Sequence, residues 1–340
     1  MKADFDSHSG TFLLYPTRQD VWRKNAEPIA KTVLDLVDLI GRYEPTVLGV
    51  LPHIDKKAIE SKLTYASVVE MDYNDIWIRD SGAVPCTDCF VKFGFNAWGG
   101  EEGLYRDWSL DATVPEQMSR ILQKPLTVSP LTVEGGNLLS NGQGTLVAIK
   151  KTLYNKNRNP DFDHATIESI LLEITGAKKL VLVDEGLAFD ETGGHIDNLC
   201  AFADSNTLML AWTDDKNNPQ YDIVRKAWQV LSRSTDAFGN AFDLIKVPLP
   251  AIFNRTIDDC EGLEIEKGSK ERFPQEPIQP SYINFVFVNG GVILPTFDDD
   301  ADEEALKIFK KTFPEREVIT FPAREVTLGG GGIHCITKNY

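Results

Sequence analysis

Apolar residues follow two alternating periods along the chain, and this alternation predicts a mixed α/β fold. Between residues 25 and 43 the apolar positions, among them Ile29, Val33 and Val37, are spaced as on one face of a helix. Residues 46–51 form a short apolar run between two prolines, which is typical of a buried strand. Further helices are predicted over residues 54–63, 163–175, 222–232 and 299–313. Further strands are predicted over residues 67–71, 145–149 and 180–183, with a hairpin joining 282–288 to 292–294.

The alternation runs through 340 residues without a linker long enough to join two domains, so we expect a single domain over residues 1–340. Residues 255–280 have no clear period, and we expect them to form an extended, partly irregular insertion. A chain of this length can bury a sizeable core without disulfides or structural metals.

Charge narrows the kinds of partner that the protein could bind. The chain has 35 Lys and Arg residues against 51 Asp and Glu residues, which gives a net charge of −16. Such a surface repels phosphate backbones and anionic membranes but attracts small cations. We therefore expect neither a nucleic-acid nor a membrane partner, and we leave a homo-oligomer open.

The cysteine content favours a reducing compartment. The chain has five cysteines, an odd and small number, and neither an export signal nor a membrane-spanning run is evident. We expect free thiols and a cytoplasmic location. The sequence alone assigns no role to four of these residues, namely Cys86, Cys89, Cys200 and Cys260.

Four consecutive glycines, residues 329–332, come shortly before Cys335. A glycine run lets the backbone take a positive φ and approach a ligand closely. Taken alone, Cys335 is better explained as a buried structural cysteine. However, His195 lies elsewhere in the chain, and a cysteine with a separate histidine is the pattern of a nucleophile with its general acid or base.

Carboxylates accompany these two residues on short, glycine-flanked segments. If residues 77–82 form a strand, Arg79 and Asp80 point to opposite faces, and an extended segment places His195 and Asp197 on one face. The simpler interpretations are a surface ion pair between Arg79 and Asp80 and a capping role for Asp197.

Two other side chains beside these segments have simple explanations. Glu134, which precedes two glycines, could be an ordinary loop carboxylate. His334 faces away from Cys335 if its segment is extended, so we expect His334 to be structural.

A metal site is the weaker alternative. His195 and Asp197 could be two ligands, but zinc takes at least three protein ligands. Cys86 and Cys89 form one pair with no second pair to complete a zinc site. We therefore expect no metal and no organic cofactor.

One cysteine, one histidine and several carboxylates suit an attack on a guanidinium group. A guanidinium is a planar cation whose N–H groups match carboxylates in a bidentate fashion. A thiolate could attack its central carbon, and a histidine could protonate the departing nitrogen.

The chain resembles the agmatine deiminases, a family of the guanidino-group-modifying (pentein) superfamily. The agmatine deiminase family is related to bacterial peptidylarginine deiminases. The resemblance covers nearly the whole chain. Its motifs are GTFLLYP (residues 10–16), DVWR (20–23), WIRDSG (77–82), EGGN (134–137), NKNRNP (155–160), GHIDN (194–198), SYINF (281–285) and GGGIHCIT (330–337). The resemblance implies a five-bladed α/β propeller with pseudo-fivefold ββαβ modules and a central active site.

The resemblance also implies the catalytic residues. Cys335 corresponds to the nucleophile, and His195 corresponds to the general acid and base. Asp80 and Asp197 would clamp the guanidinium, and Glu134 would orient or polarise His195.

Four further residues are implied to bind the substrate. Glu191 matches the family's acidic residue for the distal amine of agmatine, and Trp77 would form a wall of the substrate channel. Asn284 and Gly330 complete the implied substrate-binding residues.

The predicted function is hydrolysis of agmatine, a small cationic guanidine, to N-carbamoylputrescine and ammonia. Free or peptidyl arginine is an alternative substrate. For free arginine, Arg79 or Arg158 could bind the α-carboxylate. A non-catalytic guanidine or polyamine binder on the same fold is another alternative, and a metal-dependent hydrolase is the weakest one.

Overall fold

Eighteen strands and ten helices alternate along the chain in the computed structural model, which describes residues 1–340. The strands are β1 (Thr11–Leu14), β2 (Thr46–Val50), β3 (Ala66–Glu70), β4 (Val84–Pro85), β5 (Phe90–Gly94), β6 (Leu126–Thr132), β7 (Leu139–Ser140), β8 (Thr145–Ile149), β9 (Lys179–Val183), β10 (Cys200–Phe202), β11 (Thr207–Trp212), β12 (Asp243–Pro248), β13 (Phe253–Asn254), β14 (Pro277–Ile278), β15 (Val286–Val288), β16 (Gly291–Thr296), β17 (Glu317–Pro322) and β18 (Lys338–Asn339). The helices are α1 (Glu27–Gly41), α2 (Lys56–Glu60), α3 (Ile78–Ser81), α4 (Val114–Leu122), α5 (Lys150–Leu153), α6 (His164–Thr175), α7 (Ile196–Leu199), α8 (Tyr221–Leu231), α9 (Asp302–Thr312) and α10 (Arg324–Leu328).

Most sheets repeat one arrangement of strands. Two antiparallel strands are followed by a helix and then by a third strand that lies parallel to the second. This ββαβ unit occurs as β4–β5–α4–β6, β7–β8–α6–β9, β10–β11–α8–β12 and β15–β16–α9–β17.

The fifth module is assembled from both ends of the chain. The last strand, β18, pairs antiparallel with β1, and β1 pairs parallel with β2 after the connecting helix α1. β3 adds a fourth strand to this sheet. The α/β class and the five ββαβ modules implied by the resemblance are thereby confirmed.

Each module has a short turn immediately before its first strand, and these turns carry the predicted reactive side chains. Helical turns precede β4, β7 and β10, while hydrogen-bonded turns precede β15 and β18. The side chains are Asp80 before β4, Glu134 before β7, His195 and Asp197 before β10, Asn284 before β15, and Cys335 before β18. The repeat therefore places one set of reactive groups at the same point of every module.

The apolar stripes of the sequence form the packed layers around these turns. Helix α1 buries Ile29, Val33 and Val37, as its spacing predicted, and the central strands β2 and β8 are buried along their whole length. Parallel strands covered on both faces are expected to be continuously apolar rather than alternating.

Two segments differ from the sequence predictions. Residues 77–82 are not a strand: the N–H groups of Asp80 and Ser81 both bond to the carbonyl of Trp77, which closes a helical turn. The strand expected over 282–288 is shortened to β15, because a turn occupies residues 281–284. In both places the functional turn has replaced regular strand at the start of a module.

The segment 255–280 is largely irregular, as predicted, and β14 at its end pairs with β13. No helix of the protein is both long enough and apolar enough to cross a membrane.

Candidate active site

The Cys335 thiol lies in a buried chamber where the glycine loop meets the turn before β15. Its Sγ is 3.2 Å from Asn284 Nδ2, 3.4 Å from the backbone nitrogen of Gly332 and 3.7 Å from Asp197 Oδ2. Two N–H groups thus point at the sulfur, and a carboxylate lies beside it. Such donors stabilise a thiolate once it forms.

Asp80 is held by two donors from neighbouring segments. Its Oδ1 accepts from the backbone N–H of Gly136 at 2.7 Å, and its Oδ2 accepts from the indole N–H of Trp98 at 2.9 Å. His195 Nδ1 lies 3.6 Å from the same Oδ2. The carboxylate is therefore fixed in position at the edge of the chamber.

Asp197 is held through a histidine that the sequence analysis interpreted as structural. Its Oδ2 pairs with His334 Nδ1 at 2.8 Å, and His334 Nε2 pairs with Asp4 Oδ2 at 3.1 Å. Asp4 in turn pairs with Arg79 at 3.0 Å. Asp197 Oδ1 is buried and has no hydrogen-bond partner.

The structure corrects three expectations. Arg79 is buried and pairs with Asp4, so it forms no surface ion pair with Asp80. His334, which we expected to be structural, bonds directly to the predicted site residue Asp197. His195 and Asp197 also occupy a helical start rather than an extended segment, yet a Cβ on Gly136 would come within 2.8 Å of His195 Nδ1 and 3.1 Å of Asp197 Oδ2.

His195 lies between two carboxylates at ion-pair rather than hydrogen-bond distance. Its Nε2 is 3.8 Å from Glu134 Oε2, is buried, and has no hydrogen-bond partner. Glu134 is held by Arg158, whose Nε donates to Oε1 at 2.8 Å while its NH2 group donates to the carbonyl of Thr192. Arg158 is therefore occupied and buried.

The charges of the chamber shift the pKa of each group in it. Burial opposes a charged imidazole, but the carboxylates of Asp80 and Glu134 outweigh it and raise the pKa of His195 to about 9. Burial likewise opposes ionisation of Glu134, yet Arg158 and His195 lower its pKa to about 2. At neutral pH, His195 is therefore an imidazolium beside a carboxylate.

The same carboxylates disfavour ionisation of the thiol. Burial, together with the carboxylates of Asp197 and Asp80, raises the pKa of Cys335 well above its ordinary value. Burial, reinforced by Asp197 and Glu134 and only partly offset by His195, also raises the pKa of Asp80. An added cation would relieve this crowding of negative charge and favour the thiolate.

Aromatic rings and glycines form the walls of the chamber, whose open volume is only about 20 Å³. The rings of Trp77 and Trp98 meet edge to face, with centroids 6.4 Å apart. A Cβ on Gly331 would come within 2.5 Å of Trp77, so only glycine fits there. A planar group entering the chamber would lie between the tryptophans and the thiol.

A larger cavity of about 430 Å³ adjoins the chamber and shares Asn198, Gly330 and Gly331 with it. Glu191 lines this cavity, and a Cβ on Gly330 would come within 2.7 Å of its carboxylate. Glu191 is also paired with Lys270 and Arg272. We refer to this cavity as the entrance.

The structure gathers all the predicted site residues except Glu191 in or directly around the chamber, and Glu191 lies in the entrance. Four supporting residues were not predicted from the sequence, namely Asp4, Trp98, Arg158 in its pairing with Glu134, and His334 in its pairing with Asp197. The position of His334 beside Cys335 was an available signal. Asp4 and Trp98 lie far from the motifs they support and gave none.

No group of three or more His, Cys, Asp or Glu side chains is arranged to hold a metal ion. All five cysteines are free thiols.

Comparison with known proteins reveals close relatives along the whole chain. Residues 1–340 match the family model described as Porphyromonas-type peptidyl-arginine deiminase. An agmatine deiminase of Pseudomonas syringae pv. syringae is 38% identical over 346 residues, covering 99% of this chain and 94% of the relative.

Solved structures agree with this match. The agmatine deiminase of Enterococcus faecalis superposes with a TM-score of 0.95 at 29% identity, covering 100% of this chain and 94% of the other. A C. jejuni agmatine deiminase variant with substrate bound superposes with a TM-score of 0.84 at 25% identity, covering 99% and 94% of the two chains. The chain therefore belongs to the Porphyromonas-type peptidyl-arginine deiminase family and is a relative of the agmatine deiminases.

Proposed function

We propose that the protein hydrolyses agmatine to N-carbamoylputrescine and ammonia through a covalent intermediate on Cys335. The observation that carries the proposal is the pair of buried carboxylates beside a buried thiol. Asp80 is fixed by two donors in a chamber that lacks room for a large group. Asp197 lies beside the thiol, with Oδ2 3.7 Å from the sulfur, and its Oδ1 is buried without a partner. A guanidinium supplies N–H donors and a positive charge to these oxygens.

The first step is ionisation of the nucleophile. Since burial and the carboxylates hold the Cys335 pKa high in the free protein, a guanidinium bound between them offsets their charge, lowers the pKa of the thiol and lets its proton pass to solvent. The thiolate then adds to the central guanidinium carbon and forms a C–S bond. The N–H groups of Asn284 and Gly332 hold the sulfur in line.

The second step expels ammonia. His195, an imidazolium at neutral pH, gives its proton to the departing nitrogen, so that the C–N bond breaks and a thiouronium remains on Cys335. Glu134 stabilises the imidazolium charge, and Arg158 holds Glu134 in place.

The third step releases the product. Neutral His195 takes one proton from water, which attacks the thiouronium carbon. The C–S bond then breaks to regenerate the thiolate, and the second proton of the added water is released to solvent as the carbonyl forms. The former guanidinium carbon now bears an NH2 group, the alkylated nitrogen and the new oxygen, which together form the carbamoyl group of N-carbamoylputrescine. No metal or organic cofactor takes part in these steps.

Arginine is the second candidate substrate, and one observation favours it. Lys270 and Arg272 bring two positive charges to the entrance, where an α-carboxylate could meet them. Arg79 and Arg158, the two residues considered for this role from the sequence, are paired with Asp4 and Glu134 instead.

Release of ammonia separates these candidates. Agmatine, arginine and N-blocked arginine are supplied in parallel to the wild-type protein and to Cys335→Ala, with a chelator present. Release from agmatine that survives chelation and disappears in Cys335→Ala supports the proposal. Faster release from arginine would reassign the substrate, and agmatine binding without release would support a non-catalytic binder.

We also propose a cytoplasmic location, which five free thiols support. The net charge of −16 supports a small cationic partner and argues against nucleic acid and anionic membranes. A homo-oligomer stays a prediction.

A further inference from the structure

The ammonium group of Lys270 forms ion pairs with two carboxylates that line the entrance, those of Glu191 and Glu276. Lys270 Nζ lies 2.7 Å from Glu191 Oε1 and 2.6 Å from Glu276 Oε1, and all three side chains line the cavity next to the nucleophile chamber. A primary alkylammonium is also the tail group of agmatine. The same two carboxylates therefore face an internal and an external ligand of one chemical type.

Three cationic side chains, those of Arg255, Lys270 and Arg272, surround Glu191 and Glu276 in what we call the entrance cluster, and they differ in how freely they can move. Arg255 and Arg272 are buried, with 1% and 4% of their side chains exposed, and they pair with Glu276 and Glu191 respectively. Lys270 is 31% exposed. Because a lysine ammonium sits on a flexible four-carbon stem and is strongly hydrated, Lys270 is the cation that can withdraw into solvent.

The net charge of the cluster determines whether a substrate ammonium can enter while Lys270 stays in place. Two carboxylates, Glu191 and Glu276, are already balanced by the two buried arginines, so Lys270 leaves the cluster with one excess positive charge. A substrate ammonium entering beside a fixed Lys270 would raise the excess to two. Exchange of one ammonium for the other keeps the excess at one and is therefore favoured.

We propose that Lys270 is an internal competitor for the ammonium end of the substrate and sets the affinity of the entrance for cationic guanidines. This proposal rests on the proposed function. Lys270 holds the carboxylates in the free protein and leaves them when a guanidine with an ammonium tail enters. A guanidine without that tail does not displace Lys270.

The test measures binding rather than turnover. In a Cys335→Ala background, calorimetry gives the Kd of agmatine and of n-butylguanidine, which has the same guanidinium and chain but no ammonium. Lys270→Met is expected to bind agmatine about threefold to tenfold more tightly, because the internal competitor is gone. The Kd of n-butylguanidine is expected to stay the same.

Two matched variants control for charge and folding. Lys267→Met removes an exposed positive charge from the same segment and is expected to leave the Kd of agmatine unchanged. Lys270→Arg keeps a cation at the cluster and is expected not to tighten agmatine binding. Thermal unfolding of each variant verifies that it folds.

Three results would overturn the proposal: equal tightening for both ligands, no tightening of agmatine, or the same tightening in Lys267→Met. Failure of the proposed function is seen separately, as absence of ammonia release from agmatine by the wild-type protein. If agmatine binds neither the Cys335→Ala parent nor its Lys270→Met variant, both proposals fall.

Discussion

At the scale of single residues, Asp197 has one buried carboxylate oxygen without a hydrogen-bond partner, while its other oxygen is held by His334 and lies 3.7 Å from the Cys335 thiol. A buried acceptor without a partner is costly, and a guanidinium N–H would supply that partner. His334 is itself fixed by Asp4. The orientation of Asp197 thus depends on a chain of hydrogen bonds that reaches the N-terminal segment.

We predict that His334 acts as a positioning residue for Asp197. His334→Ala removes a hydrogen bond to a charged group, worth about 1.5–3 kcal/mol, and should lower kcat/KM for agmatine about tenfold to a hundredfold. His334→Asn should retain more activity, since its amide can donate where Nδ1 does. Steady-state kinetics of both variants checks this, and equal losses in the two would mean that His334 only fills space.

A second prediction at this scale concerns the charge of His195. Since Asp80 and Glu134 raise its pKa to about 9, the imidazole should stay protonated through neutral pH and lose its proton as the pH rises through about 9. Glu134→Gln removes one of the carboxylates that favour the imidazolium, so the titration midpoint should move to lower pH. Histidine NMR signals recorded against pH measure both midpoints.

The exposed Glu173 provides a control, because Glu173→Gln removes a negative charge far from these contacts and should leave the midpoint in place. A His195 midpoint near the ordinary 6.5 would contradict the charge state assigned to the proton donor.

At the scale of elements, the turn before each module's first strand determines where the chemistry occurs. Gly136 lies in the turn before β7, and a Cβ there would come within 2.7 Å of Asp80 Oδ1, 2.8 Å of His195 Nδ1 and 3.1 Å of Asp197 Oδ2. The absence of a side chain at this one position lets three site residues meet.

Gly136→Ala should therefore disable the site. The added methyl group pushes the two aspartates and His195 apart, and we expect kcat/KM to fall more than about a hundredfold, since small displacements of reacting groups are costly. Gly176→Ala is the matched control: Gly176 has φ of 70° and open space around it. It should lower stability by about 1–2 kcal/mol and leave activity intact. Comparable activity in the two variants would contradict this account.

The sequence predicted the regular elements better than the turns. The stripe of α1 and the apolar runs of β2 and β8 are local patterns, and the structure follows them. Residues 77–82 failed as a predicted strand because contacts with distant segments hold the helical turn, such as the bond from the N–H of Arg79 to the carbonyl of Cys335. Periodicity carries no information about such contacts.

The candidate site was identified mainly through motifs. Cys335, His195, Asp80 and Asp197 stand in glycine-flanked segments whose chemistry suggested a guanidinium. The residues that hold these side chains in place could not be found in the same way, because they come from distant parts of the chain. The hydrogen bond between Asp4 and His334, for example, joins residues 330 positions apart. Likewise, nothing in the sequence indicated that Lys270 and Arg272 would meet Glu191.

At the scale of the whole molecule, the two ends of the chain close the structure. β18 pairs with β1, the N–H of Tyr340 bonds to the carbonyl of Gly10, and the buried Lys338 donates to the carbonyl of Arg79. The turn that carries Cys335 leads directly into this strand. Closure and placement of the nucleophile are therefore linked.

Deletion of residues 338–340 tests that link. If residues 1–340 form one domain, loss of β18 should lower the midpoint of urea unfolding for the entire transition and reduce activity sharply, because the Cys335 turn loses its anchor. Unfolding followed by tryptophan fluorescence, beside ammonia release, measures both. An unchanged midpoint would show that β18 frays independently, and it would count against the single-domain prediction.

The central claim is that Cys335 forms a covalent bond to the substrate carbon. The most direct measurement is the mass of the Cys335 peptide from wild-type protein acid-quenched during agmatine turnover. The account predicts an added mass equal to agmatine less ammonia, on that peptide alone, and no adduct in Cys335→Ala. Full turnover with no adduct on Cys335, or with the adduct on another residue, would contradict it.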